Sequence, residues 1–205
     1  MIELTQNNKF ISEKTISSFS ITYPKTVTLI HGNYSKQHIL HNLKLKIKNN
    51  LSKKTSNFTY VRGGMTDWEF FIHDIDFSKF FTEIIDKHRH ILAPEVLLGK
   101  ELKVTDAWGN CLNKGDQVAL HTHSSHHGIL YLTEGTPLIF PELEMKFTPK
   151  PGDWILAPPG LFHGTDPVES EKERINVVFN FDFCDEFRRI NELESDKLNN
   201  SIPTT

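Results

Sequence analysis

Cysteines are scarce in this sequence, and basic residues are not in excess. The two cysteines, Cys111 and Cys184, lie far apart and lack the C-x-x-C spacing of many metal sites. This excludes a disulfide framework and predicts two reduced, partly buried thiols. The formal net charge of -3 gives no basic footprint, so we expect neither nucleic acid nor an anionic membrane as the main partner.

Long apolar runs are also missing. The first twenty residues contain no apolar core of a signal peptide, and no later stretch approaches the length that spans a bilayer. We therefore expect a cytoplasmic protein that is not membrane-bound. The 205 residues, 38% of them hydrophobic, suffice for one substantial core and hence one domain. The composition leaves the oligomeric state open, and a homodimer is one option.

Hydrophobic periodicity predicts two helices before residue 100. Residues 27–30 form a short β-prone run, and residues 58–62 form a strand that Gly63 and Gly64 terminate. Between these runs, one face of a helix is formed by Ile39, Leu40, Leu43 and Ile47. A second helix, with Asp76 as its N-cap, carries the apolar stripe Phe77, Phe80, Phe81, Ile84, Ile85 and His88. Each stripe needs another element to cover it.

The chain between residues 103 and 183 alternates short strands with turns. Turn residues cluster at 113–115, 134–137, 149–152, 158–160 and 166–167. This spacing indicates a mainly β fold, a double-stranded β-helix (jelly roll) with two or three flanking α-helices. We predict that residues 1–100 supply N-terminal strands and supporting helices, 101–183 the jelly-roll core, and 184–205 a C-terminal helix and tail.

Three histidines predict one divalent metal site in this strand-rich part. His121 and His123 would share one face of a strand, a spacing that suits Fe(II), Mn(II), Ni(II) or Zn(II). His163 follows the rigid Pro-Pro-Gly corner 158–160, which would fix its direction. The alternatives are an exposed, histidine-rich strand end for the first pair, and a core histidine bonded to a backbone carbonyl for His163.

A buried arginine is the second candidate functional feature. In the alternating strand that follows, Arg174 shares one face with Asn176, Val178 and Asn180. An arginine inside an apolar barrel would be a costly charge without a carboxylate partner, and a dicarboxylic cosubstrate would supply that partner. The alternative is an arginine at the strand mouth that is solvated or paired with Glu171.

Two motifs in this region resemble those of the cupin and 2-oxoglutarate oxygenase superfamilies, which share the double-stranded β-helix. The first cupin motif, G-x5-H-x-H, is matched by Gly115, His121 and His123. The second, G-x5-P-x-G-x2-H, is matched by Gly152, Pro158, Gly160 and His163. The sequence departs from the cupin pattern at His127, where a glutamate ligand is usual, and at Pro167, where asparagine is usual.

The run from residue 108 to 181 is more closely similar to small 2-oxoglutarate oxygenases of marine bacteria and their phages. The residues that carry this resemblance are Trp108, Asn110, Lys114, Gly115, His121, His123, Tyr131, Leu132, Pro151, Gly152, Pro158, His163, Gly164, Arg174, Ile175 and Asn180. It implies an Fe(II)- and 2-oxoglutarate-dependent dioxygenase, usually a hydroxylase, whose substrate the sequence does not name. It also implies a metal on His121, His123 and His163. The cosubstrate would lie on Arg174, with Tyr131 or Asn176 as a second partner.

One departure from the wider oxygenase superfamily keeps other interpretations open. His123 occupies the position that usually carries the Asp or Glu of the facial triad. His127, Asp116 or Asp166 could therefore be the third ligand, and another divalent metal could be bound. The same histidines also fit a cupin-type metalloenzyme that does not use 2-oxoglutarate, with Arg174 structural, or a non-catalytic jelly-roll binding protein.

Overall fold

The structure is a computed structural model that describes residues 2–5, 14–15, 18–19, 26–51, 60–92 and 100–185. Before the first helix lie the strands β1 (Ile2–Thr5), β2 (Lys14–Thr15), β3 (Ser18–Phe19) and β4 (Thr26–Asn33). The next elements are helix α1 (Gln37–Asn49), strands β5 (Val61–Arg62) and β6 (Gly64–Met65), and helix α2 (Ile75–Leu92). The remaining strands are β7 (Lys100–Leu112), β8 (Gln117–Val118), β9 (His126–Tyr131), β10 (Leu138–Phe140), β11 (Met145–Phe147), β12 (Asp153–Ala157), β13 (Gly164–Thr165) and β14 (Arg174–Asp185).

Two facing layers of strands form a jelly roll. The large sheet has seven strands in the order β1-β4-β12-β9-β14-β7-β6, and all of its pairings are antiparallel. Opposite it lie the short sheets β11-β10-β13 and β5-β8, with an isolated bridge between His121 and His163. The core between the layers combines Ile129 and Val178 of the large sheet with Leu138 of β10. The predicted double-stranded β-helix is therefore confirmed.

Both predicted helices are present, and they cover the outer face of the large sheet. All four predicted apolar residues of α1 are buried, and in α2 the rings of Phe77 and Phe80 meet Phe179 of β14 edge-on. The N-cap of α2 is Asp74 rather than the predicted Asp76. The Asp74 Oδ1 atom accepts hydrogen bonds from the backbone nitrogens of Asp76 (2.9 Å) and Phe77 (3.1 Å), the positions that a capping side chain normally reaches.

Strand β14 separates the outer core from the inner one because its side chains alternate between the two faces. Ile175, Val177, Phe179 and Phe181 are buried in the outer core beneath the helices. Val178 belongs to the inner core, and Arg174 and Asn176 line a cavity on the same side. The predicted alternation of this strand is confirmed.

Several local predictions need correction. Gly64 does not terminate a strand; it begins β6, where it pairs with Cys111 of β7. Residues 184 and 185 belong to β14, so they are not part of a C-terminal helix, and the remainder of that predicted helix lies outside the described residues. Residues 58 and 59 of the predicted early strand also lie outside them. The jelly roll includes β1 and β4, which precede residue 100.

Two expectations from composition can be compared with the described residues. Cys111 is a free, buried thiol, and burial raises its pKa to about 11. None of the helices in the described part of the chain is both long and apolar enough to cross a membrane.

Candidate metal centre and its cavity

The H-x-H pair lies on an irregular segment rather than on the regular strand that we predicted. His121 and His163 exchange two backbone hydrogen bonds, each 3.0 Å from nitrogen to carbonyl oxygen. The backbone nitrogen of Gly160 donates to the His123 carbonyl at 2.9 Å. Gly160 has a φ of 78°, which glycine adopts without steric cost. The Pro-Pro-Gly corner and the H-x-H segment are therefore tied together at the backbone.

The three imidazoles converge as the sequence predicted. Their ligand atoms all lie within 4.8 Å of one another. Nδ1 of His121 donates to the Ala119 carbonyl (2.9 Å), and Nδ1 of His163 donates to the Leu161 carbonyl (3.1 Å). Each carbonyl therefore leaves the lone pair of its histidine on Nε2, where a metal could accept it. Nε2 of His123 is buried and has no hydrogen-bond partner.

The cluster is also in the protonation state that metal binding requires. Burial lowers the pKa of His163 to about 3 and that of His123 to about 4. Burial likewise lowers the pKa of His121, although its backbone hydrogen bonds oppose the shift. All three rings are therefore neutral near pH 7, and neutral imidazole is the form that binds a metal.

None of the alternative ligands contributes an atom to this group of three. His127 is only 1% exposed, and its ring centroid lies 4.4 Å from that of His163 and 4.6 Å from that of His123, but its nitrogens are not among the clustered ligand atoms. Asp116 accepts a hydrogen bond from a backbone nitrogen at 2.8 Å, and Asp166 forms an exposed ion pair with a lysine. Within the described residues, no carboxylate joins the cluster.

A small cavity of about 30 Å³ extends from this cluster to Arg174. Its lining includes His121, His163, Trp108, Asn110, Asn176 and Arg174. Arg174 is 1% exposed, its Nε donates to the Thr136 carbonyl at 3.1 Å, and its Nη1 is buried without a partner. Glu171 forms an ion pair with Lys114 instead, and no carboxylate in the described ranges pairs with Arg174. Arg174 is thus a buried charge that faces the cavity.

Tyr131 lies beside this arginine. The guanidinium carbon is 5.2 Å from the centroid of the Tyr131 ring, and the phenolic oxygen is buried without a hydrogen-bond partner. Burial raises the pKa of Tyr131 to about 12, although the charge of Arg174 opposes this shift, and burial lowers the pKa of Arg174. The phenol is therefore protonated near pH 7 and has a hydrogen-bond donor free beside Arg174.

Asn110 and Asn176 form a row with Tyr131 across β7, β14 and β9. Both asparagines are almost fully buried, and Oδ1 of each lacks a hydrogen-bond partner. The sequence identified Tyr131 and Asn176 as candidates for cosubstrate binding but treated Asn110 only as part of the resemblance. The alternation of β7 could have shown that Asn110 shares a face with Trp108. Its place opposite Asn176 depends on the register of two distant strands.

No protein-family model matches the sequence, and no curated protein matches it. Solved structures do match. The viral collagen prolyl hydroxylase of Paramecium bursaria chlorella virus 1, in its 2-oxoglutarate complex, is 19% identical, with a TM-score of 0.55 over 75% of this chain and 94% of that chain. A Pseudomonas putida prolyl-4-hydroxylase is 14% identical, with a TM-score of 0.57 over 75% and 91%. HygX of Streptomyces hygroscopicus, solved with nickel and 2-oxoglutarate, is 11% identical, with a TM-score of 0.56 over 76% and 82%.

The chain has the fold of the 2-oxoglutarate/Fe(II) oxygenases. Several buried polar atoms of the site have no partner, and their chemistry can be compared with that of a metal ion and of a dicarboxylate. The lone pairs of the three histidines suit a divalent metal. Arg174 Nη1 and the Tyr131 hydroxyl are unpaired donors that suit a carboxylate. The donor atoms present therefore suit both groups chemically.

Proposed function

We propose that the chain is a non-haem Fe(II)- and 2-oxoglutarate-dependent oxygenase that hydroxylates its substrate. One observation carries the proposal: the cavity is lined by histidines of the metal cluster and by a buried arginine that lacks a carboxylate partner. 2-Oxoglutarate presents an oxo-acid end that chelates a metal and a second carboxylate that pairs with a guanidinium. A single molecule of this kind would satisfy both features.

The buried charge of Arg174 gives this proposal its strongest support. A guanidinium removed from water costs several kcal/mol unless a partner compensates it. The Thr136 carbonyl satisfies one of the donors of Arg174, and the Tyr131 ring offers a cation–π contact at 5.2 Å. Neither group supplies a negative charge. An anionic ligand would therefore be bound where the protein already carries an uncompensated cation.

In the proposed reaction, His121, His123 and His163 would hold the metal. When bound, Fe(II) with 2-oxoglutarate supplies dioxygen activation, in which the oxo acid is oxidised to succinate and carbon dioxide while one oxygen atom goes to the substrate. Arg174 would bind the distal carboxylate, and the Tyr131 hydroxyl would donate a second hydrogen bond to it. The apolar row of Trp108, Val178 and Ile129 would keep water out of the cavity.

The experiment is anaerobic addition of Fe(II) and 2-oxoglutarate, with measurement of the weak visible charge-transfer band of the chelate. The proposal predicts a band in the wild type, and a 2-oxoglutarate affinity about tenfold to a hundredfold lower in Arg174→Ala, because a charge-assisted pair is lost. Pyruvate has the same oxo-acid end without the distal carboxylate. Its affinity should be low in the wild type and unchanged in Arg174→Ala.

Arg62→Ala is the matched control, because Arg62 is exposed on β5 outside the cavity. It should bind 2-oxoglutarate like the wild type. Absence of the band, together with an unchanged ligand affinity in Arg174→Ala, would reject the oxygenase proposal. A metal site that persists under those conditions would favour the cupin-type enzyme without a cosubstrate.

A further inference from the structure

A row of polar side chains lies on the inner face of the large sheet, next to the histidine cluster. Asp106, Asn180 and His127 are register partners on β7, β14 and β9, so their side chains share one face. Asn180 is 9% exposed and His127 is 1% exposed. The row has no role in binding 2-oxoglutarate at Arg174, because six positions of β14 separate Arg174 from Asn180.

The hydrogen-bond inventory of this row shows an excess of acceptors. Asn180 Nδ2 and Thr105 Oγ1 both donate to Oδ2 of Asp106, at 3.3 and 3.1 Å. Oδ1 of Asp106 receives no hydrogen bond, and the carboxylate has no ion pair within the described ranges. Oδ1 of Asn180 and both ring nitrogens of His127 are buried without partners. A neutral imidazole offers one donor and one acceptor, so the row presents three free acceptors against two free N–H donors, one on His127 and the second on the Asn180 amide.

The position of the row relates it to the substrate rather than to the cosubstrate. The His127 ring centroid lies 4.4 Å from that of His163, so any group held by the row would lie beside the cluster. Trp108 follows Asp106 by two positions on the same face of β7, and its ring lies 6.3 Å from that of His123. Trp68, 44% exposed, meets Trp108 edge-on at 4.6 Å. An aromatic side chain therefore follows the carboxylate along the same face of the sheet.

We propose that this row binds a cationic, donor-rich group of the substrate, an alkylammonium or an alkylguanidinium, beside the three histidines. The cation pairs with Asp106, donates to Oδ1 of Asn180 and lies against the indole of Trp108. The inference rests on the proposed function, because it assigns the substrate of that same site. It gives the inner face of the large sheet opposite charge at two places, with Arg174 for the carboxylate of the cosubstrate and Asp106 for the cation of the substrate.

The test compares n-butylguanidinium with n-butylurea, a neutral probe of the same shape. n-Butylammonium is a third probe, which shows whether an ammonium or a guanidinium binds better. Binding is measured by isothermal titration calorimetry and by tryptophan fluorescence, with Co(II)-loaded and with metal-free protein. At least one of the cations is expected to bind about tenfold more tightly than the urea. Asp106→Asn should remove most of that preference, whereas Asp166→Asn, which removes an exposed carboxylate, should retain it.

Equal affinity for the cations and the urea in the wild type, or an unchanged preference in Asp106→Asn, would overturn the inference. If Asp106→Asn does not fold by circular dichroism, Asn180→Leu removes a different acceptor of the row and should also lower the preference. The titrations contain neither dioxygen nor 2-oxoglutarate. The two experiments are therefore independent. If the cations show no preference, the anaerobic charge-transfer experiment still tests the proposed function. If the charge-transfer band is absent, the titrations still test the cation site.

Discussion

The guanidinium carbon of Arg174 lies 5.2 Å from the centroid of the Tyr131 ring, in the interior of the jelly roll. Both side chains are fully buried, and each retains a polar atom without a hydrogen-bond partner. The protein without ligand therefore carries a charge whose desolvation is only partly compensated. We therefore expect the buried charge to lower the free energy of unfolding of the ligand-free protein, and unfolding experiments can measure this effect.

Arg174→Met is expected to leave the free energy of unfolding unchanged or to raise it by up to about 3 kcal/mol without ligand, because a buried uncompensated charge is replaced by an apolar side chain. In the same variant, 2-oxoglutarate should no longer stabilise the metal-loaded protein. Urea unfolding with and without 2-oxoglutarate measures both effects, with Arg62→Met as the exposed control. A loss of more than about 2 kcal/mol in the ligand-free variant would show that Arg174 supports the fold instead.

Divalent metal should stabilise the folded protein through the three histidines. At a concentration one hundred times the dissociation constant, Co(II) should raise the free energy of unfolding by about 2.7 kcal/mol, and a chelator should reverse the effect. His163→Ala should weaken Co(II) binding more than about tenfold, whereas His38→Ala, on the exposed face of α1, should not. Calorimetric titration gives the stoichiometry, expected to be one ion per chain. Equal binding by the two variants would contradict the assignment.

Acid should destabilise the metal-free protein from a higher pH than carboxylate titration alone explains. Burial lowers the pKa of His163 from 6.5 to about 3, so the unfolded chain binds this proton at a higher pH than the folded chain does. The stability contribution is fully present above about pH 6.5 and is lost as the pH falls toward 3. Lowering the pH from 6.5 to 5 should therefore reduce the free energy of unfolding by about 2 kcal/mol through this one group.

Urea unfolding at closely spaced pH values, in the presence of a chelator, tests this expectation. His163→Gln cannot take up the proton and should show a shallower decline between pH 6.5 and 5. Parallel curves for the two proteins would mean that the buried ring does not carry the effect.

Gly128→Ala is expected to destabilise the outer core. A Cβ atom at this position would lie 2.1 Å from Cζ of Phe179 and 2.8 Å from a methyl group of Leu156. Phe179 is itself held by Phe77 and Phe80, so the ring has little room to move. The overpacking should cost about 1–3 kcal/mol of unfolding free energy.

A double-mutant cycle in urea isolates this contact. Phe179→Leu alone should be destabilising, and combined with Gly128→Ala it should cost less than the sum of the two single changes, because the shorter side chain relieves the overlap. If the destabilisations of the two single variants simply add in the double variant, the added methyl group does not clash with Phe179.

Much of the fold could be predicted because it depends on short-range patterns. The apolar stripe of α1 and the alternation of β14 follow from periods of 3.6 and 2, which are visible in any window of the chain. The same alternation placed Arg174 on the inner face. The cap of α2 was misplaced by two residues because Asp74 and Asp76 are both plausible caps, and only the backbone nitrogens that Asp74 reaches distinguish them.

Residue type and local alternation were enough to predict from the sequence the two groups on which the proposed chemistry depends, the three histidines and an arginine that faces into the barrel. Which polar residues lie beside these groups follows only from the three-dimensional fold. It left Asp116 and Asp166 outside the cluster and brought Asp106 to Asn180 across 74 positions of the chain. The register between β7 and β14 is a long-range property, set by which strands pair within the sheet, and no local pattern contains it.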